Sequence, residues 1–319
     1  MRVLVALGGN ALSSPDGRAR PEDQLAAAAR AAEGLADLVA AGHDVVVTHG
    51  NGPQVGNLLV KNELAAAVVP PVPLDWCVAQ TQATIGVLLS NALERALHAR
   101  DAHRPVAALV TRTLVHADDP GMLAPSKPIG RYLSREDAQV LVDHGEVWHD
   151  FGAKGWRRVV ASPEPQRILD VPAVLAMLEA GYVVIAGGGG GVPVVVDPDE
   201  ASGGLRGVEA VIDKDLGAAV LGEAVGADVL LIATDVPQVL LGYGTPAERA
   251  LGHVTLDELQ AHADDGEFGA GSMGPKVEAC LRFVRRTGGR ASICSLDDIV
   301  PALAGTAGTL VTSELERNP

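Results

Sequence analysis

YVVIAGGGGGVPVVVD, residues 182–197, and GVEAVIDKDLGAAVL, residues 207–221, decide how this chain is read. Tyr182 to Ala186 is a short apolar run of strand type, stopped by five consecutive glycines. The β-rich Pro193 to Asp197 follows as one arm of a hairpin, and helix-forming sequence begins at Lys214. Five glycines forgo every side chain, which a fold tolerates only where backbone turns sharply or lies close against something. A phosphate group is such a neighbour. The stretch therefore reads as one wall of a nucleotide phosphate pocket whose other walls come from elsewhere in the chain.

Outward from there the pattern repeats. RVLVAL (2–7) is a buried strand that ends at Gly8-Gly9-Asn10; Asp44 to Thr48 is another that ends at His49-Gly50-Asn51-Gly52, with Pro53 opening a helix. Pro21, Glu22 and Asp23 start a helix over 21–41 that carries Leu25, Ala28, Ala32, Leu35 and Val39 on one face and closes at Gly42. Further helices are predicted at 79–99, 171–180, 214–225, 255–262 and 275–287, and strands at 105–111, 228–234, 291–295 and 309–312. Strands alternating with helices predict an α/β fold, a mostly parallel open central sheet covered on both faces. Ligands bind outside the carboxyl ends of the strands in such sheets, and all three glycine loops fall there. Residues 116–162 break the rhythm with Pro, Gly and charge, and hold Tyr132, Trp148, Phe151 and Trp156. They read as a small inserted lid subdomain within a single domain spanning 1–319.

Composition narrows the function. A net charge of −15 and a pI near 4.9 argue against a nucleic-acid partner, which needs a cationic stripe. Val3 to Leu7 is too short for a signal-peptide core, and the uncharged run 180–196 holds six glycines and Pro193, so no membrane partner is expected. Cys77, Cys280 and Cys294 are widely spaced and odd in number, and the nine histidines form no HExxH. Neither disulfides nor protein metal ligands are expected, and a cytoplasmic setting fits. Lysine is scarce: of 25 basic residues only Lys61, Lys127, Lys154, Lys214 and Lys276 are lysine, and three of these lie in SKPIG, DKD and GSMGPK. A chain that otherwise uses arginine keeps lysine where a compact, mobile point charge is useful, as at a moving phosphoryl group. No Gly-Lys dipeptide occurs, so there is no Walker A loop; Val192 stands where the glycine run would need its last glycine for G-x-G-x-x-G; the protein kinase motif set is missing.

VALGGNAL (5–12), THGNGPQVGNLL (48–59), KPIG (127–130), GVEAVIDKDL (207–216) and GSMGPKVEA (271–279) resemble the carbamate kinases of the amino acid kinase superfamily, over nearly the whole chain. The resemblance implies a three-layer αβα sandwich, a homodimer, and a nucleotide-binding part from about 182 to 319 behind an N-terminal substrate-binding part. It implies reversible phosphoryl transfer between ATP and carbamate, giving ADP and carbamoyl phosphate, with Mg²⁺ accompanying the nucleotide. Carried over by position, Lys127, Lys214 and Lys276 bind the phosphates and Asp215 orients a lysine; Asp213 is a further candidate, and either aspartate can also cap the following helix. Gly8, Gly9 and Asn10 would face the transferring phosphoryl group with Gly188 and Gly189 beside it. Gly50, Asn51, Gly52 and Gln54 would face the carbamate end, and Asp235, Tyr243, Met273 and Gly274 the base and ribose. Many superfamily members carry a lysine just before the first glycine loop; this chain has Ala6-Leu7 there, so Lys127 from the inserted segment is read as its replacement.

Carbamate is already an anion, so no general base is expected, and His49 is assigned a structural role. At most one of Arg157 and Arg158, adjacent on a strand, is expected to reach a phosphate. The alternatives are another kinase of this superfamily acting on a small carboxylate or phosphonate, a non-catalytic nucleotide-binding sensor, and a dinucleotide oxidoreductase.

Overall fold

A computed structural model describes residues 1–9, 20–143, 145–197, 204–269 and 273–314. The main sheet has eight strands in the spatial order His253–Thr255, Thr309–Thr312, Arg290–Ser295, Val229–Thr234, Arg2–Leu7, Asp44–His49, Val183–Ile185, Val106–Ala108. Neighbours run parallel except Arg290–Ser295 against Thr309–Thr312. The strand expected at 105–111 is shorter, pairing only over Val106–Ala108, because Gln82 Oε1 rather than a neighbouring strand takes the Thr111 amide. The helix expected from residue 79 begins at Leu74, directly after Pro73.

RVLVAL is apolar at every position because both its faces are covered. Val3, Val5 and Leu7 share a core with the helices Pro21–Ala40 and Leu74–Ala99; Leu4 and Ala6 share another with Lys214–Ala224 and Met273–Thr287. Two cores on opposite faces of one sheet make the three-layer αβα sandwich. Each fully buried Val or Leu in them contributes about 1.5–3 kcal/mol, so the sheet is a rigid platform for the loops at its edge.

Within the irregular segment, Lys127–Leu133, Trp156–Val160 and Trp148–Asp150 form a separate antiparallel sheet. It sits on the helix Gly52–Ala65, so closely that a Cβ on Gly56 would lie 3.0 Å from the Gly130 backbone. Ile129 and Val160 are buried there with Val55, Leu59, Leu74 and Val78. No described helix is long and apolar enough to cross a membrane.

Candidate active site

Four adjacent strands, Val183–Ile185, Asp44–His49, Arg2–Leu7 and Val229–Thr234, end at one edge of the sheet and deliver their loops to one place. The first two glycine loops touch: a Cβ on Gly50 would lie 2.7 Å from the Gly9 nitrogen and 3.2 Å from Lys214 Cδ. A Cβ on Gly9 would in turn lie 3.6 Å from the Gly52 nitrogen, and the Gly8 amide donates to Ala233 O at 2.8 Å. The helix Gly52–Ala65 starts in this contact, and its N-cap residue Asn51 makes no capping hydrogen bond, so the first helical amides suit an anion. Gln54, in its first turn, is buried. Asn10 lies outside the described residues.

Three lysines from three distant segments converge here. Lys127, at the start of the small sheet, pairs with Asp213 at 2.9 Å. Lys214 opens the helix Lys214–Ala224 and pairs with Asp215; Lys276, in the first turn of Met273–Thr287, reaches the other oxygen of Asp215 at 3.2 Å. Asp213 takes both roles open to it, binding Lys127 and capping its helix by accepting from the amides of Asp215 (2.9 Å) and Leu216 (3.4 Å). Asp215 is not a cap; it bridges two lysines. Burial works against ionisation of Asp213, yet the charge and hydrogen bond of Lys127, the charge of Lys214 and the Asp215 amide together hold its pKa down to about 2. Burial, partly offset by Asp215 and reinforced by Lys276, lowers the pKa of Lys214. Among the described residues the cluster thus brings three lysines together with two carboxylates.

The glycine run proves to have a second reason. A Cβ on Gly188 would strike His49 Nε2 at 2.3 Å, one on Gly189 Asn51 Nδ2 at 2.4 Å, one on Gly190 Ile212 Cβ at 2.8 Å, and one on Gly191 Thr113 Oγ1 at 2.0 Å. What the run approaches with its Cα hydrogens is therefore protein. The amides of Gly187, Gly190 and Gly191 donate to Thr111 Oγ1, Gly187 O and Gly188 O. Those of Gly188 and Gly189 have no acceptor among the described residues and are the two left for a ligand.

His49 is fully buried and bonded through Nδ1 to Gly50 O at 3.0 Å. Burial lowers its pKa to about 4, the Gly50 carbonyl opposing and Lys214 assisting, so its ring is neutral at pH 7. Arg157 donates to Gly130 O at 3.1 Å and lies over the Tyr132 ring; Arg158 pairs with Glu146 at 3.1 Å. Both are thus engaged within the small sheet.

The residues expected at the nucleotide base and ribose are more open. Asp235 follows Val229–Thr234 at the same sheet edge, exposed, and accepts from Thr234 Oγ1 at 3.0 Å. Tyr243 is 78% exposed, beside Gly242, whose amide is held by Glu267 at 2.9 Å. Met273 and Gly274 open the helix that carries Lys276, and the Gly274 amide donates to Gly269 O at 3.0 Å.

The family model described as "Amino acid kinase family" matches residues 1–295. The chain belongs to the amino acid kinase family. A carbamate kinase from Thermococcus kodakarensis is 45% identical over 317 residues, which cover 98% of this chain and 99% of that protein. A carbamate kinase-like protein, YqeA, from Escherichia coli is 41% identical, over 97% and 98%. Among solved structures, carbamate kinase from Giardia lamblia bound to AMP-PNP is 36% identical with a TM-score of 0.90, covering 98% of each chain.

Two features of this family member escape a motif search. The buried polar residues Thr48, Thr81, Gln82, Thr111 and Thr113 brace the loops from behind. Their one trace in the sequence is Gln80-Thr81-Gln82, three consecutive polar residues in the helix Leu74–Ala99. The spacing G-x-G-x-x-G, missing from the glycine run, does occur at Gly269 to Gly274. It follows the helix Leu256–Asp264 rather than a strand, so it lacks the strand–turn–helix setting of a dinucleotide fingerprint.

Proposed function

We infer that this chain is a carbamate kinase, moving a phosphoryl group reversibly between ATP and carbamate to give ADP and carbamoyl phosphate. The observation that carries this is the convergence of Lys127, Lys214 and Lys276, paired with Asp213 and Asp215, upon the Gly8-Gly9 and Gly50 loops. In the forward direction a carbamate oxygen attacks the terminal phosphorus, a new P–O bond forms, and the bond to the ADP oxygen breaks with its electron pair retained by ADP. Carbamate brings its own negative charge, so no residue need remove a proton, and neutral His49 fits a site with no base. Catalysis rests on alignment and on neutralising the charge that spreads over the transferring oxygens.

In this reading Lys214 and Lys127 follow the transferring group, Lys276 holds the nucleotide phosphates, Asp215 orients Lys214 and Lys276, and Asp213 orients Lys127. Gly8, Gly9, Gly188 and Gly189 line the phosphoryl position, Gly50, Asn51, Gly52 and Gln54 receive carbamate, and Asp235, Tyr243, Met273 and Gly274 border the base and ribose. Asp213 and Asp215 are already neutralised by lysines, and no group of three or more potential ligands placed to hold a metal occurs among the described residues. In this reading Mg²⁺ enters with the nucleotide, as the resemblance implies. The small sheet acts as a lid that delivers Lys127. The buried free thiols of Cys77, Cys280 and Cys294 suit a cytoplasmic enzyme, and the resemblance favours a homodimer.

The deciding experiment is ATP formation from ADP and carbamoyl phosphate with Mg²⁺, run beside a panel of acyl phosphates. The expected result is turnover with carbamoyl phosphate preferred. A folded sample that binds ADP without transfer would make the chain a sensor, and preference for another acyl phosphate would move it elsewhere in the family.

A further inference from the structure

We propose that Thr81 and Gln82, consecutive residues of the helix Leu74–Ala99, are positioning residues that hold the Gly50–Gly52 loop and the glycine run in register with each other. They are 2% and 3% exposed, on a face otherwise made of Val78, Ile85 and Leu89. A hydroxyl and an amide in such a place are unfavourable unless their polar atoms are bonded, and here Thr81 bonds the Gly50–Gly52 loop directly and Gln82 reaches the glycine run through Thr111. Thr81 Oγ1 donates to Val78 O at 2.7 Å, which fixes the hydroxyl and leaves it to accept from Asn51 Nδ2 at 2.9 Å. Gln82 grips Thr111 twice through its backbone: Nε2 donates to Thr111 O and Oε1 accepts from Thr111 N, both at 3.0 Å. Thr111 Oγ1 donates to Gln82 Oε1 at 3.2 Å and accepts from the Gly187 amide at 3.0 Å, while Thr48 Oγ1 donates to Gly187 O at 2.8 Å. The glycine run is thus clamped at its entry.

The two loops leave neighbouring strands, Asp44–His49 and Val183–Ile185, whose pairing at Val46–Val184 and Val47–Ile185 sets the spacing of their roots. Past the strand ends, where that ladder stops, one helix binds both. Gln82 also touches the run directly, since a Cβ on Gly188 would lie 3.1 Å from its Cγ, and Gly189 closes the circuit against Asn51. A displacement of about 1 Å between groups that must align for transfer costs on the order of 100-fold in rate, so a device that sets this spacing acts on the reaction without touching a substrate. The inference rests on the reading above that these loops serve the carbamate and phosphoryl side.

The test compares Thr81→Val, which keeps the shape and loses the hydroxyl, with Thr81→Ser, which keeps the hydroxyl, and adds Gln82→Leu. Thr81→Val and Gln82→Leu should lower kcat/KM for carbamoyl phosphate by about tenfold or more per folded enzyme, with KM for ADP within about twofold, and Thr81→Ser should recover most of the loss. A lower Tm with unchanged kinetic constants, or parallel changes toward both substrates, would overturn the proposal. If Gln82→Leu does not fold, the Thr81 pair decides alone. If the wild type does not turn over carbamoyl phosphate, the functional reading fails, and amide exchange judges the positioning role separately. Faster exchange at residues 50–52 in Thr81→Val, reversed in Thr81→Ser, supports it; unchanged exchange sinks it.

Discussion

On one side of the site, Lys127, Lys214 and Lys276 meet Asp213 and Asp215. On the other, the glycine run and the Gly50–Gly52 loop rest on neutral groups, His49, Thr48, Thr81, Gln82 and Thr111, which bond one another or the loops themselves. The charged side can re-pair when an anion arrives, because ammonium groups on long stems rotate. The neutral side is braced by hydrogen bonds among its own groups, and so it fixes geometry. In the proposed reading, neutralisation and alignment, the two requirements of phosphoryl transfer, fall to different chemistry, the lysine–aspartate cluster and the neutral braces.

The charged side is broken most directly at Lys127. Lys127→Ala should lower kcat by about 10²–10³-fold, the usual cost of removing one electrostatic partner of a transition state, while KM for ADP changes by only a few-fold. Steady-state kinetics separate the two; comparable losses in kcat and ADP affinity would remove the case for a lysine delivered by the small sheet. The neutral side is broken at Gly189, where φ is +62° and a Cβ would lie 2.4 Å from Asn51. Gly189→Ala should cost about 2–4 kcal/mol in urea unfolding, from overpacking added to left-handed strain. Gly42→Ala, at φ +84° with nothing within 4 Å of the new Cβ, should cost only about 1 kcal/mol.

The comparison is sharpened by acid. The folded pKa of His49, about 4, is well below its unfolded value. Stability from its burial is fully present above pH 6.5 and is lost as pH falls toward 4, because the unfolded chain takes up a proton that the folded one refuses. By pH 5 the loss amounts to ~2 kcal/mol. His49→Asn should flatten the fall in unfolding free energy between pH 6.5 and 5, whatever it does to stability at neutral pH. Asp213, with its pKa held at about 2, retains its stabilising contribution across that window and loses it only at much lower pH. The first structural loss on acidification is therefore expected on the neutral side, ahead of the lysine cluster.

The charged side is the more legible in the sequence, for a physical reason. Lysine in a chain that prefers arginine stands out wherever it falls, so Lys127, Lys214 and Lys276 can be picked out although they lie far apart. The strand–loop–helix rhythm likewise yields the layers, since RVLVAL can only be a strand covered on both faces. Thr81 and Gln82 are opaque because a polar residue in a helix has meaning only through its partner, and Asn51 and Thr111 are 30 and 29 residues away. The glycines were legible as close approach but not as to what they approach. A run that avoids Cβ atoms signals a crowded neighbour, and His49 or Asn51 crowds as effectively as a phosphate.

Arg157 and Arg158 supply the smallest expected effect, and a sharp check on where the cationic cluster ends. As neighbours on Trp156–Val160 they point to opposite faces, and each is already engaged: Arg157 with Gly130 O and the Tyr132 ring, Arg158 with Glu146. Neither pairs with Asp213 or Asp215, so neither shares in the charge balance of the three lysines. Arg157→Ala should change kcat/KM for carbamoyl phosphate by less than about threefold, since what it loses is one hydrogen bond and one cation–π contact within the small sheet, together worth about 1–2 kcal/mol of local order. Arg158→Met removes the ion-pair partner of the half-buried Glu146, which keeps only the hydrogen bond from Trp148 Nε1 among the described residues, and should lower Tm more than Arg157→Ala does, again with kcat/KM little changed. A loss of 100-fold or more in either variant, in folded protein, would put that arginine on a substrate phosphate and extend the charged side of the site into the small sheet.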